Sequence, residues 1–228
     1  MSATPTIDEL RAGGRWNPLW DRLAQWDAEW TEALVLAATS PWQSGILPNK
    51  TLELICVAGN VACSHLYAPG ARRHIRAALA AGATRDEILA TVKLASLLGF
   101  QALHLGVPIL AQELGESTDC PPMLQLSRWD GSWAAHVSIV AASPRDGVLD
   151  EKTIELICIG INAAATHLNA DAVRHHVKAA LAVGATRAEI VEVLKVATTV
   201  GLHACNLAVP ILDEELASRH QSPGSCTP

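Results

Sequence analysis

The chain has 228 residues, half of them hydrophobic and 18% charged, with a formal net charge of −6. That composition suits one large globular domain or two small ones. A negative balance without any basic cluster argues against nucleic acid or an anionic membrane surface as partner. The opening MSATPTIDEL lacks the charged-then-apolar order of a signal peptide, and no apolar run is expected to reach the length of a membrane span. Six cysteines (Cys56, Cys63, Cys120, Cys158, Cys205 and Cys226) form no CxxC pair and no zinc-knuckle spacing. The expectation is a cytoplasmic protein without disulfides.

In chain order, Trp16 with Trp20 and Trp26 with Trp30 stand four apart, which predicts helix-packing or core anchors. The run NKTLELICVAGNVACSHL, residues 49–66, predicts a helix that the Ala-Pro-Gly at 68–70 breaks. A second, alanine-rich helix is expected to about Ala81, with Gly82 as its stop. Thr84 followed by Glu87 is a capping box for a third helix. That helix is expected to bend at Gly99, and Pro108 marks the start of a last segment. GESTDCPPMLQ, residues 115–125, reads as a linker.

The pattern then begins again. Residues 50–114 align with 152–216 at a constant offset of 102, with 34 of 65 positions identical and no gap. Upstream the match continues after a one-residue slip, so Ser40-Pro41 pairs with Ser143-Pro144. A tandem duplication of an all-α unit follows, with almost no strand signals. The expected organisation is residues 1–114 (core 50–114), the linker, residues 126–216 (core 152–216), and a flexible tail at 217–228.

The polar residues kept in both copies carry the functional reading. At 100° per residue Glu53, Asn60 and Tyr67 share one stripe, as do Glu155, Asn162 and Asn169, with Ser64 and Thr166 near the same line. A carboxylate in so apolar a helix is costly to bury without a partner, and burial would poise it for acid–base work. The plainer alternative places Glu53 at a solvent edge or helix cap. His65 pairs with His167 and His74 with His176, whereas His104, His175 and His203 align with other residue types. Imidazole titrates near neutrality and ligates metals; a hydrogen-bonded core role is the competing reading. Arg72 and Arg174 occur in both copies as candidate clamps for a substrate carboxylate, or as a solvated helix face.

KTLELICVAGN…HIRAALAAGATRDEI resembles the core motif of the carboxymuconolactone decarboxylase family, within the alkyl hydroperoxidase D-like superfamily. The resemblance covers both repeats, and Glu53/His74 and Glu155/His176 fall on its Glu and His positions. It implies an all-α fold and a homo-oligomer; single-repeat members are typically hexamers, so a trimer is favoured for the fused unit. The peroxidase branch works through CxxC beside a His; ACSH and AATH provide no such pair, so that chemistry is not expected. His65 and His167 lie outside the plain decarboxylase pattern, which points to a divergent subgroup.

These readings converge on a cofactor-independent lyase or isomerase acting on a small lactone, enol or keto acid. Glu53, His65, His74, Glu155, His167 and His176 are the candidate catalytic residues. Arg72, Arg174, Asn60 and Asn162 are the candidate substrate contacts. One alternative is a divalent transition-metal enzyme whose ligands are Glu53, His65 and His74, and Glu155, His167 and His176. Another is a non-catalytic helical scaffold, which predicts that Glu53 and His74 lie far apart.

Overall fold

The computed structural model describes residues 9, 11 and 16–221. Among these every regular element is helical. The first repeat runs α1 (Leu19–Trp26), α2 (Ala28–Ser44), α3 (Asn49–Val61), α4 (Ala68–Ala80), α5 (Arg85–Ser96), a 3-10 turn (Leu97–Phe100) and α6 (Gln101–Glu113). The second runs α7 (Pro122–Trp129), α8 (Gly131–Ala142), a 3-10 turn (Ser143–Arg145), α9 (Glu151–Ala163), α10 (Ala170–Ala182), α11 (Arg187–Thr198), a 3-10 turn (Thr199–Gly201) and α12 (Leu202–Gln221).

Helices α3 and α9 are apolar on nearly all sides and therefore take the centre. They cross closely where Gly160 faces Ile55; a Cβ at Gly160 would stand 2.7 Å from the Ile55 methyl. One continuous core joins Leu52, Leu54 and Ile55 to Ile154, Ile157 and Val193, so the repeats are not separate domains. Ser64 Oγ lies 3.4 Å from its repeat counterpart Thr166 Oγ1, which places a pseudo-twofold axis between them.

Both capping boxes form. Thr84 and Glu87 start α5, and Thr186 and Glu189 start α11. Each glutamate also meets a lysine of the central helix, Lys50 or Lys152, at 2.8 Å. This double use ties the start of α5 to the start of α3, and the start of α11 to that of α9.

The structure corrects several expectations. The first core helix ends at Val61, not Leu66, and Ala-Pro-Gly opens α4 instead of breaking α3. Proline in a first turn lacks only an N–H that has no helical acceptor there. The break is the turn at residues 62–67, where Leu66 and its counterpart Leu168 both take φ 49°, an unusual value for leucine. Tyr67 N–H and Asn169 N–H bond back to the Asn60 and Asn162 carbonyls. Tyr67, Asn169, Ser64 and Thr166 therefore lie on turns rather than on the helical stripe.

Gly99 and Gly201 fall in 3-10 turns as the bend requires, but Pro108 and Pro210 sit inside α6 and α12. The linker is shorter than expected because α7 begins at Pro122, and α12 carries residues 217–221 of the expected tail. Residues 222–228 lie outside the described residues. Trp16 and Trp20 do pack, edge to face at 5.6 Å between ring centres. Asp27 caps α2 between Trp26 and Trp30, so that pair shares no helix and both rings are exposed. Finally, Arg85–Glu113 and Arg187–Arg219 are helical stretches long and apolar enough to cross a membrane by length and composition, contrary to the expectation that no run would be. Each is a bent helix pair with one part on the core and apolar side chains exposed along the other.

Candidate active site

The hairpin of α3 and α4 sets a carboxylate against an imidazole. Glu53 is buried in α3, and its Oε2 lies 2.7 Å from His74 Nδ1 on α4. Its second oxygen accepts from the indole N–H of Trp42 at 2.7 Å. The Arg73 guanidinium lies 2.9 Å from His74 Nε2. A guanidinium only donates, so Nε2 accepts and the ring carries its proton on Nδ1, facing Glu53. This network fixes the tautomer that presents a lone pair on Nε2.

The dyad forms part of the wall of a cavity of about 390 Å³, lined among others by Trp20, Trp42, Arg73, His203 and Asn206. His203 and Asn206 belong to α12, so the second repeat supplies the back wall of the first repeat's pocket. The indole N–H of Trp20 donates to Asn206 Oδ1 at 3.2 Å, which docks α12 on α1. His203 Nδ1 lies 2.6 Å from His65 Nε2, and the Tyr67 ring lies 4.1 Å from the His203 ring. Burial, together with His65, Arg73 and His74 nearby, lowers the His203 pKa to about 4. Burial lowers that of His65 as well.

The second repeat builds the same site with other side chains. His176 Nδ1 lies 2.7 Å from Glu155 Oε2. Arg145 stands where Trp42 stands and donates to Glu155 Oε1 at 2.5 Å while also pairing with Glu151. Burial pushes the Glu155 carboxyl up, but bonds from His176 and Arg145 outweigh it and leave its pKa below the ordinary value. The cavity here is wider, about 1120 Å³, and four histidines line it: His104, His167, His175 and His176. Its back wall comes from α6. His167 Nε2 donates to Gln101 Oε1 at 2.7 Å, and Gln101 Nε2 donates to Asn162 Oδ1 at 2.7 Å.

Glu53 with His74, and Glu155 with His176, are thus brought together, contrary to the scaffold expectation. His65 and His167 stand behind them, each bonded to the other repeat's terminal helix. Among the described residues no group of three His, Cys, Asp or Glu is placed to share an ion, so the two proposed metal-ligand sets are not assembled. Asn60 bonds its own helix at the Cys56 carbonyl and packs on Gly70, away from the cavity lining. Asn162 does line its cavity.

Arg72 and Arg174 are exposed and outside both linings. Arg73, Ala77 and Ala80 make the stripe that faces the first cavity; Arg72 sits 100° round the helix from Arg73. Sequence reasoning missed Arg73 and Arg145 because neither is shared between the copies, and it passed over His203 and Gln101 for the same reason. The one-residue slip that aligns Trp42 with Arg145 was the available signal. Burial raises the Cys56 and Cys158 thiols, Cys158 to about 12, so neither is a ready thiolate near neutrality.

A model of the carboxymuconolactone decarboxylase family matches residues 28–105 and 132–214. No curated protein matches the chain. A crystal structure from Burkholderia xenovorans LB400, at 1.70 Å, carries the provisional name of a gamma-carboxymuconolactone decarboxylase subunit. It is 29% identical, with a TM-score of 0.82 over 95% of this chain and 100% of that one.

Proposed function

The chain belongs to the carboxymuconolactone decarboxylase family, and from that premise we propose that it is an acid–base lyase or isomerase acting on a small lactone, enol or keto acid. The observation that carries this reading is the Glu53–His74 contact at 2.7 Å in the wall of a cavity. His74 Nε2 takes a proton from the substrate and returns it to carbon, and the Glu53 carboxylate holds Nδ1–H and offsets the imidazolium charge in between. Trp20 and Trp42 exclude water from one side. In a decarboxylation His74 is first protonated from solvent, gives that proton to the enolate left when CO2 departs, and is reprotonated by water; in an isomerisation it returns the abstracted proton to a different carbon. Glu155 and His176 are the counterpart pair.

A cytoplasmic location and a homo-oligomer, with a trimer favoured, belong to the same reading. Exposed leucines on α6 and α12 support the self-association. The test is the double variant His74→Gln, His176→Gln assayed against a panel of lactones and keto acids. We expect turnover to fall by about 10²-fold or more, the usual weight of a positioned acid–base group, with the circular dichroism of the wild type. Undiminished turnover in the folded double variant would overturn the reading.

A further inference from the structure

The two cavities are related by the pseudo-twofold axis, yet the arginine in each lining is engaged differently. In the first, Arg73 lines the cavity and, among the described residues, hydrogen-bonds a neutral acceptor, His74 Nε2. No carboxylate among the described residues pairs with it. The Glu53 oxygens are bonded by His74 and Trp42, not by Arg73. In the second cavity position 175 is a histidine, and the arginine in the lining, Arg145, is already paired with both Glu151 and Glu155. Asp171 adds a further acid to that lining.

We propose that only the first cavity takes a carboxylate-bearing ligand, held by Arg73, so that the chain binds one such anion where its fold provides two pockets. This rests on the acid–base reading and narrows its substrate class. A guanidinium keeps its charge across the working pH range and engages a carboxylate through two parallel N–H bonds. An anion that takes Arg73 lies beside His74 Nε2 and draws from that nitrogen the donor that occupies it. The carboxylate held this way is the retained one. Guanidinium contact stabilises the anionic ground state of a carboxylate that is about to leave as CO2, which would oppose its loss. The substrate therefore has a carboxylate in addition to its reacting centre. In the second cavity the guanidinium of Arg145 is already engaged by Glu151 and Glu155, and Asp171 is the acid in the lining, so an incoming carboxylate finds no free fork there.

The experiment is calorimetric titration of the full-length protein with benzoate at pH 8. Benzoate is an unreactive carboxylate, and its ring suits the tryptophan-lined pocket. We expect one benzoate per chain and quenching of tryptophan fluorescence, since Trp20 and Trp42 line the first cavity and no tryptophan lines the second. Arg73→Gln should weaken binding by about tenfold or more, the scale of a charge-assisted bidentate pair. Arg73→Lys, which keeps the charge and loses the fork, should fall between that variant and wild type, and serves if Arg73→Gln misfolds. Two benzoates per chain, no binding at all, or binding indifferent to position 73 would each overturn the proposal. The readout needs no turnover, so it stands or falls apart from the assay of the His74 and His176 variants.

Discussion

His203 shows how one side chain couples the pocket to solvent pH. Its pKa is lowered from 6.5 to about 4, first by burial and then by His65, Arg73 and His74 beside it. Between those values the unfolded imidazole holds a proton that the folded one refuses, so unfolding takes up protons and folding stability drops as pH falls. The effect is absent above about pH 6.5 and complete below about pH 4. His203→Gln should flatten this part of a urea-denaturation series from pH 7 to 4. Gln101 already meets His167 in this way in the other repeat, so the packing has a precedent. An unchanged pH slope would show that His203 is not the titrating group. At this scale the sequence was legible where both copies agreed: Glu53 with His74 and Glu155 with His176 could be paired through the family motif they resemble. His203 and Arg73 were illegible because their roles depend on what faces them across the fold, not on what is repeated.

At the level of helices, the α3–α4 corner depends on how closely two backbones approach. A Cβ on Gly70 would lie 1.9 Å from Asn60 Oδ1 and 2.8 Å from Tyr67 Cδ1. That oxygen is buried and has no hydrogen-bond partner among the described residues. The second repeat has Ala172 at the equivalent position, and there the amide oxygen of Asn162 is drawn to Gln101. Gly70→Ala should therefore destabilise by about 1–3 kcal/mol, the usual cost of overpacking. Adding His203→Gln should recover part of it, because the glutamine amide can donate to Asn60 Oδ1 as Gln101 donates to Asn162. A denaturation cycle over the four proteins measures this coupling, and strict additivity would refute it. The helices themselves were readable from their capping boxes and from Gly82 and Gly184. The turn at 62–67 was not, because nothing short-range in ACSHLY announces a leucine with positive φ. Backbone bonds from His65 and Leu66 to Ala62 and from Tyr67 to Asn60 hold the turn, and none of them depends on a side chain that the sequence would reveal.

For the whole chain, the unresolved matter on the surface is grease. Leu105 is 70% exposed and its counterpart Leu207 67%, with Ile109, Leu110, Ile211 and Leu212 half exposed along the same helices. Contiguous apolar surface of this kind marks an interaction face. We expect light scattering to give a mass above that of one chain, and Leu105→Glu with Leu207→Glu to shift it toward the monomer without changing helicity. A monomeric wild type would remove self-association from the reading. The duplication was plain in the sequence, and with it the all-α architecture. The exchange of terminal helices was hidden, since α6 and α12 look the same in the repeat alignment whichever half they serve.

That exchange has a consequence for descent. Each pocket borrows its back wall from the opposite copy, His203 and Asn206 for one and Gln101 and His104 for the other. After the duplication fused, a mutation in either terminal helix reshaped the neighbour's chemistry rather than its own. The halves could drift apart in residue type, as Trp42 and Arg145 have, but losing either half would leave the surviving dyad facing open water.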